Sequence, residues 1–303
     1  MKAASSLSGA ASALAQDKVA LVSLAILLTL IAMALLAPWI APQNPYDPAA
    51  IDVLDAELPP AWVAGSDMRF LLGTDTQGRD LLSTILYGLR ASLTIGLGAV
   101  ALQAMLGVLI GTFAGYFGGR LDAALMRLAD VQLSFSTLMV AIVLLALLQG
   151  MFSTEWYHRY ALVSLILVIG VAEWPQYART VRASALAERK KEYIEAARVL
   201  GFGPLRIMFR HLLPNCLSPI LVISTLQVAN AIIAEAALSF LGLGMPITKP
   251  SLGALISSGF ETLFSGAWWI SALPGLALVL LILAVNLLGD WLRDTLNPRH
   301  YRG

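Results

Sequence analysis

The sequence predicts an all-α membrane protein with six transmembrane helices. Apolar residues make up 58% of its 303 residues and charged residues only 13%, whereas a soluble domain carries about 25% charged residues. The mean hydropathy is +0.76. So little polar surface does not cover a globule in water, and the long uncharged segments have the length of helices that cross a lipid bilayer.

Composition excludes several other classes of protein. The single cysteine, Cys216, cannot form an internal disulfide, and the three histidines stand too far apart to form a local metal-binding motif. The net charge of +1 provides no overall basic field for nucleic acid. No lysine follows a glycine, so the phosphate-binding motif G-x-x-x-x-G-K-[ST] is absent and ATP would have to be hydrolysed by another polypeptide.

Six segments are long and apolar enough to be predicted as transmembrane helices. Four of them contain no charged residue: 19–46, 91–119, 131–154 and 262–289. The fourth span, from residue 160, is short unless it continues past Glu173, and the fifth, 212–234, is followed by Glu235. The first span is too long for the apolar part of a signal peptide and is interpreted as retained.

These spans divide the chain into four predicted parts. They are a cytoplasmic N-terminal segment 1–18, a first transmembrane helix 19–42, an extracytoplasmic loop 43–90 and a five-helix core 91–303. Within the core, Gly107, Gly111, Gly115 and Gly119 are spaced by four residues. This spacing lines small residues along one helix face and predicts close packing against another helix.

Lysine and arginine predict the orientation, because cytoplasmic loops carry the excess of both. With both termini in the cytoplasm, 15 of the 20 lysine and arginine residues fall inside. The loop between helices four and five holds eight of the fifteen, so we expect the functional surface there. Five remain outside: Arg69, Arg79, Arg90, Arg159 and Lys249.

The basic loop, 183–215, is predicted to contain two amphipathic helices. The first, 186–200, has a narrow apolar stripe formed by Leu186, Tyr193, Ala197 and Leu200. A corner at Gly201 ends this helix, and the second begins at Pro204 and ends near Pro214.

Two functions fit this loop. A basic helical hairpin can lie on anionic lipid headgroups. Alternatively, the small side chains of Ala196 and Ala197 allow the first helix to sit deep in a groove of a partner protein, with the glycine corner setting its angle to the membrane. Composition alone leaves both functions open.

The loop also resembles a known family. Glu-Ala-Ala at 195–197, Gly201 and the pair Leu213 and Pro214 resemble the EAA loop of bacterial ABC importer permeases. The general pattern has isoleucine where this chain has His211, but the sequence His-Leu-Leu-Pro-Asn that begins there resembles the dipeptide, oligopeptide and nickel branch of the family.

Three other segments resemble the C-type permease subunit of the same branch. They are Leu-Gly-Thr-Asp-x-x-Gly-Arg-Asp at 72–80, Glu-Ala-Ala-Leu-Ser-Phe-Leu-Gly at 235–242 and Asn-Leu-Leu-Gly-Asp at 286–290. The family often has histidine, proline and tryptophan where this chain has Phe70, Ser136 and Leu252. These departures bear on the substrate rather than on the fold.

The resemblance implies a type I ABC importer permease fold with a cytoplasmic coupling-helix loop, in a bacterial cytoplasmic membrane. It implies a non-catalytic permease for peptides that forms half of the translocation pathway, with nickel chelates or glutathione as alternative cargo. An autonomous secondary transporter is less favoured, because it would need ion-coupling groups within its own spans. The implied partners are a homologous permease subunit, two ATP-binding subunits that hold ATP and Mg, an extracytoplasmic substrate-binding protein and membrane lipid.

The expected site residues lie in the basic loop and the fifth span. Coupling to the ATP-binding subunits is assigned to Glu195, Ala196, Ala197, Arg198, Gly201 and Pro214. Pathway lining is one interpretation of Gln227, Asn230, Glu235 and Ser239, and hydrogen bonding between helices is the other. No cofactor or metal is expected in this chain.

Two outer features are interpreted as structural. Asp75, Arg79 and Asp80 form the kind of cluster in which side chains bond the backbone of their own turn. Trp268 and Trp269 stand where an aromatic belt at the membrane interface would begin.

Overall fold

The structure is a computed structural model that describes residue 14 and residues 16–296. Most of the N-terminal segment 1–18 and the end of the five-helix core 91–303 lie outside the described residues. The helices, in chain order, are α1 (Lys18–Ile40), α2 (Leu81–Phe117), α3 (Gly119–Leu133), α4 (Thr137–Met151), α5 (Thr154–Glu188), α6 (Glu192–Val199), α7 (Leu217–Phe240), α8 (Leu252–Thr262) and α9 (Trp269–Leu296).

The number of candidate membrane spans agrees with the sequence. In the described part of the chain, α1, α2, α5, α7 and α9 are each long and apolar enough to cross a bilayer. The pair α3 and α4 forms a further candidate span that bends by 91° between its two helices. The prediction of an all-α membrane protein with up to six spans is therefore confirmed.

The packing of α2 against α5 forms the centre of the fold, and the glycine spacing is its cause. A Cβ added at Gly111 would lie 2.9 Å from the Cβ of Val181, and one added at Gly115 would lie 2.6 Å from the Cβ of Ala185. Gly107 meets the same face of α5. The fourth glycine, Gly119, does not belong to this contact, because it begins α3 and has no heavy atom within 4 Å of an added Cβ.

The predicted boundary at residue 90 is wrong, because α2 already begins at Leu81. The Asp80 carboxylate accepts a hydrogen bond from the Ser83 backbone N–H at 2.8 Å and caps the helix. Arg90 lies within the helix with an exposed side chain. The charge at Arg90 limits the uncharged segment to residues 91–119, so the predicted span begins ten residues too late.

The interpretation of the outer turn as structural is confirmed. The Arg79 guanidinium is buried and pairs with the Asp75 carboxylate at 2.6 Å. The same guanidinium donates a hydrogen bond to the Ile247 backbone carbonyl at 2.8 Å, which fastens the turn to the segment between α7 and α8. The belt interpretation of Trp269 is wrong, because its ring is buried and its Nε1 donates to the Thr74 carbonyl at 3.3 Å.

Two predicted spans differ in their bounds from the helices of the structure. The span predicted at 131–154 is divided at Ser134–Ser136 between α3 and α4, since Ser134 ends one helix and Ser136 is the extended residue before the next. The fifth span extends to Phe240 rather than ending at residue 234, so Glu235 lies inside α7.

Helix α8 was not predicted from the sequence. It is 11 residues long and buries Leu252 and Leu255. Gly253 brings it against Ala236 of α7, and Gly259 brings it against Ile270 of α9. Most of the helix lies in an uncharged segment between Lys249 and Glu261 that is too short to cross a bilayer, so length and charge alone do not indicate it.

The contact between α2 and α5 predicts a large effect of a single methyl group. Gly111→Ala should lower the melting temperature of the detergent-solubilised protein, because overpacking of this kind costs about 1–3 kcal/mol. Gly150→Ala is the matched control, since an added Cβ there has no heavy atom within 4 Å and alanine favours the helix. Equal melting temperatures for the two variants would contradict the close contact.

Candidate functional site

The basic loop forms a short helix, α6, at one end of the molecule. It is separated from α5 by residues 189–191, so the continuous helix predicted over 186–200 is wrong. The carboxylate of Glu188, the last residue of α5, accepts hydrogen bonds from the Lys191 ammonium and the Tyr193 hydroxyl, both at 2.6 Å. The charged Glu188 thereby joins the end of α5 to the start of α6.

The glycine corner after α6 is confirmed. Gly201 has a φ of +77°, a conformation that favours glycine. Its N–H donates to the Arg198 carbonyl at 2.9 Å, and the Phe202 N–H donates to the Ala197 carbonyl at 3.1 Å. These two bonds form a Schellman motif, which ends the helix and turns the chain toward Pro204.

The predicted apolar stripe is correct at Ala197 and wrong at Tyr193 and Leu200. Ile194 and Ala197 are the buried residues of the helix, whereas Tyr193 is 37% exposed and Leu200 is 71% exposed. The stripe assumed that residues 186–200 form one helix, and the break at 189–191 rotates α6 relative to α5. Ala197 therefore faces its own chain.

A small apolar cluster beneath α6, here called the pedestal, holds this helix in place. Its buried members are Ala185, Ile194, Ala197, Ile207, Leu212 and Cys216. They come from α5, from α6 and from the helical segment 204–216 that leads into α7. The position of α6 is thus determined by the ends of two spanning helices.

The end of α2 also contacts this region. Arg189 donates hydrogen bonds to the carbonyls of Gly115 and Tyr116 at 3.1 and 3.2 Å, which satisfies two free acceptors at the end of α2. The Arg198 guanidinium lies 5.6 Å from the centre of the Tyr116 ring, within the range of a cation–π contact.

The remaining residues that the sequence predicts for coupling fall into two groups. Glu195 and Ala196 are exposed on the side of α6 that faces away from the pedestal. Pro214 is also exposed, but it does not end the second helix as predicted. The Leu213 N–H donates to the Met208 carbonyl in a π-helical turn, and the chain remains helical through Cys216 into α7. The wider turn accommodates the proline without ending the helix.

Of the four polar residues of the fifth span, Gln227, Glu235 and Ser239 are buried inside the subunit. Gln227 is buried, and its side-chain amide donates to the Glu173 carboxylate of α5 at 2.9 Å. Glu235 is fully buried and accepts hydrogen bonds from Ser92 of α2 at 2.8 Å and from Ser239 at 2.7 Å. These contacts join α7 to α2 and α5, as interhelical hydrogen bonds do.

Asn230 differs from the other three. Its side chain is exposed, and its amide donates to the Gln227 side-chain oxygen at 2.8 Å. Of the four residues considered for pathway lining, Asn230 is the one that presents a polar group to the outside of the subunit.

The sequence does not indicate the role of Glu173, a buried carboxylate in α5. Its side chain accepts a hydrogen bond from Gln227 of α7. Its position 54 residues before Gln227 leaves no local pattern in the sequence from which the pairing could be recognised.

The chain is similar to known transport proteins along nearly its whole length. A family model described as "Binding-protein-dependent transport system inner membrane component" matches residues 107–300. A second model, described as "N-terminal TM domain of oligopeptide transport permease C", matches residues 6–60.

Individual relatives agree with these family models. The di/tripeptide transport system permease protein DppC of Pseudomonas aeruginosa is 39% identical over 94% of this chain and 89% of its own. The dipeptide transport system permease protein DppC of Escherichia coli K12 is 41% identical over 94% of this chain and 90% of its own. An inward-facing structure of the MetNI methionine ABC transporter covers 70% of this chain and 96% of its own with a TM-score of 0.54, at 19% identity.

Because Cys216 is buried in the pedestal, we expect its thiol to be unreactive. Burial raises the pKa of Cys216 to about 11, so only about 0.1% of the thiol is ionised at pH 8. Cys216 should therefore resist a maleimide in the folded protein and react after denaturation. An added cysteine, Val199→Cys, should react at once, since that side chain is 88% exposed. Rapid labelling of Cys216 in the folded protein would show that the pedestal is open.

Proposed function

The chain belongs to the family of binding-protein-dependent transport system inner membrane components, and we propose that it is the permease subunit of a peptide importer. It is a multi-pass membrane protein with the fold of a type I ABC importer permease. Peptide cargo is supported by relatives named for di- and tripeptide transport at about 40% identity over almost the entire chain. Those names do not favour nickel chelates or glutathione.

The proposed partners follow from what this sequence lacks and from its family. Two ATP-binding subunits supply ATP hydrolysis and bind ATP and Mg, because the sequence has no phosphate-binding loop. A homologous permease subunit completes the pathway, and an extracytoplasmic protein delivers the peptide. This chain contributes no cofactor and no catalytic group.

The observation that carries the coupling role is the position of α6. It has an exposed face that includes Glu195 and Ala196, while Ile194 and Ala197 are fixed in the pedestal. A force applied to the exposed face is transmitted through packed side chains to α5 and to the segment before α7. Closure of the two ATP-binding subunits would thus move these helices as a near rigid body.

Docking in a protein groove and contact with lipid predict different effects on transport when a charge is added to α6 or removed from its surroundings. A partner groove must desolvate the exposed face of α6, whereas a lipid surface binds through the basic residues around it. Ala197 is unsuitable for this test, because a charge there disrupts the pedestal of the chain itself. Ala196 is exposed and can be changed without disturbing it.

Ala196→Asp is therefore expected to reduce ATP-driven uptake of a labelled dipeptide by at least about tenfold, since burying an unpaired carboxylate costs several kcal/mol. The melting temperature of the purified chain should not change. Lys190→Ala with Arg210→Ala removes two exposed basic residues as the control and should reduce uptake less. If the basic pair proves more damaging than Ala196→Asp, the docking role of α6 must be abandoned.

Both termini are proposed to lie in the cytoplasm, with α6 on the same side, on the basis of the 15 to 5 division of basic residues. Met68→Cys should react with an impermeant thiol reagent added to intact cells, because Met68 is 84% exposed in the outer loop. Val199→Cys should react only after the cells are permeabilised. The opposite result would invert the orientation.

A further inference from the structure

The five basic residues on the outer side form two groups. Two of them have carboxylate partners. Arg69 is paired with Asp55 at 3.0 Å and with Asp67 at 2.8 Å, and Arg79 is paired with Asp75 at 2.6 Å. The carboxylates neutralise the charge of both arginines, which accounts for their presence on the side that usually has few basic residues.

The other three, Arg90, Arg159 and Lys249, have no carboxylate oxygen within 4.0 Å among residues 16–296. All three line one pocket of about 560 Å³, together with Tyr46 and Tyr87. They come from α2, from α5 and from the segment before α8, so the tertiary fold brings together charges that are 159 residues apart in the sequence.

The pocket is held in shape by contacts among its own walls. Lys249 Nζ donates to the backbone carbonyls of His158 and Arg159 at 3.1 and 3.3 Å. The rings of Tyr46 and Tyr87 meet edge to face with their centres 5.0 Å apart. Partial burial raises the pKa of Tyr46, and the charge of Arg90 opposes that rise without reversing it. At neutral pH the phenol therefore keeps its proton as a hydrogen-bond donor.

The basic side chains of the pocket favour a negatively charged ligand. Its described lining contains three basic side chains and no Asp or Glu. A peptide with two free termini would leave its ammonium group beside three cations, a repulsive arrangement. A phosphodiester carries a single negative charge, and its oxygens accept hydrogen bonds from guanidinium, ammonium and phenol groups.

The basic residues of the pocket stand at the ends of uncharged segments, which is where the headgroup of a membrane lipid would lie. Arg90 stands immediately before the uncharged segment 91–119, and Arg159 immediately before the apolar segment that begins at residue 160. Exposed apolar side chains continue along both helices from this level, including Leu97 on α2 and Val163 on α5. A molecule with a phosphate in the pocket would therefore have apolar protein surface along which its chains can lie.

We propose that this pocket binds the phosphate of an anionic phospholipid, with Arg90, Arg159 and Lys249 as its counter-charges. The phenol groups of Tyr46 and Tyr87 donate to the phosphate oxygens, and the acyl chains lie along the exposed apolar faces of α2 and α5. The site is at the end of the spans opposite α6, so it is separate from the docking surface and does not depend on the coupling role.

The test is a lipid titration of the purified full-length chain with the subunits that accompany it. Bound lipid is counted by native mass spectrometry after addition of phosphatidylglycerol or phosphatidylcholine. We expect phosphatidylglycerol to bind at least about tenfold more tightly. Arg159→Gln should weaken phosphatidylglycerol binding about fivefold, the change that corresponds to about 1 kcal/mol for one basic residue near a membrane surface.

Matched variants separate the pocket from general charge. Arg69→Gln also removes one positive charge from the outer side, but it lies outside the pocket and should leave lipid binding unchanged. Arg159→Lys keeps the charge and should retain binding, which distinguishes loss of the site from misfolding. Adding Arg90→Gln to Arg159→Gln should increase the loss to about 25-fold.

Four results would overturn the proposal. They are equal affinity for the two lipids, equal loss with Arg69→Gln and Arg159→Gln, displacement of phosphatidylglycerol by millimolar inorganic phosphate, and displacement by a dipeptide. The third result would assign the pocket to a free phosphate ion, and the fourth would assign it to the cargo.

Discussion

The close approach of α2 and α5 is the constraint on which the rest of the structure depends. At Gly107, Gly111 and Gly115 helix α2 has no side chain of its own, so its backbone lies directly against the backbone and Cβ atoms of α5. A contact of this kind has little freedom to slide, because both helices are closely packed along it. The two helices therefore form one closely packed body from the outer loop to α6.

Helix α6 contacts the ends of α2 and α5. Ala185 at the end of α5 contributes to the pedestal, and Arg189 binds the last carbonyls of α2. On the other side of the pedestal, Cys216 leads directly into α7. A displacement of α6 thus acts on three spanning helices at once, which is the mechanical requirement for coupling a distant ATPase to a pathway.

Buried hydrogen bonds strengthen the same body from inside. Gln227 and Glu235 of α7 bond to residues of α5 and α2 at depths where water does not compete. In Gln227 and Glu235, a polar residue within an apolar span therefore joins helices of the same subunit. Asn230 is the exposed one of the four polar residues predicted for the pathway.

The sequence by itself determined the class of protein, the approximate spans, the glycine packing and the corner at Gly201. Each depends on residue type or on regular local spacing. Only the tertiary structure decided which face of α6 is free, because a three-residue break after α5 rotates that helix. It also decided that Glu235 is buried against Ser92 and that Arg90 and Lys249 share a pocket, since these contacts join residues more than 140 positions apart and no local pattern records them.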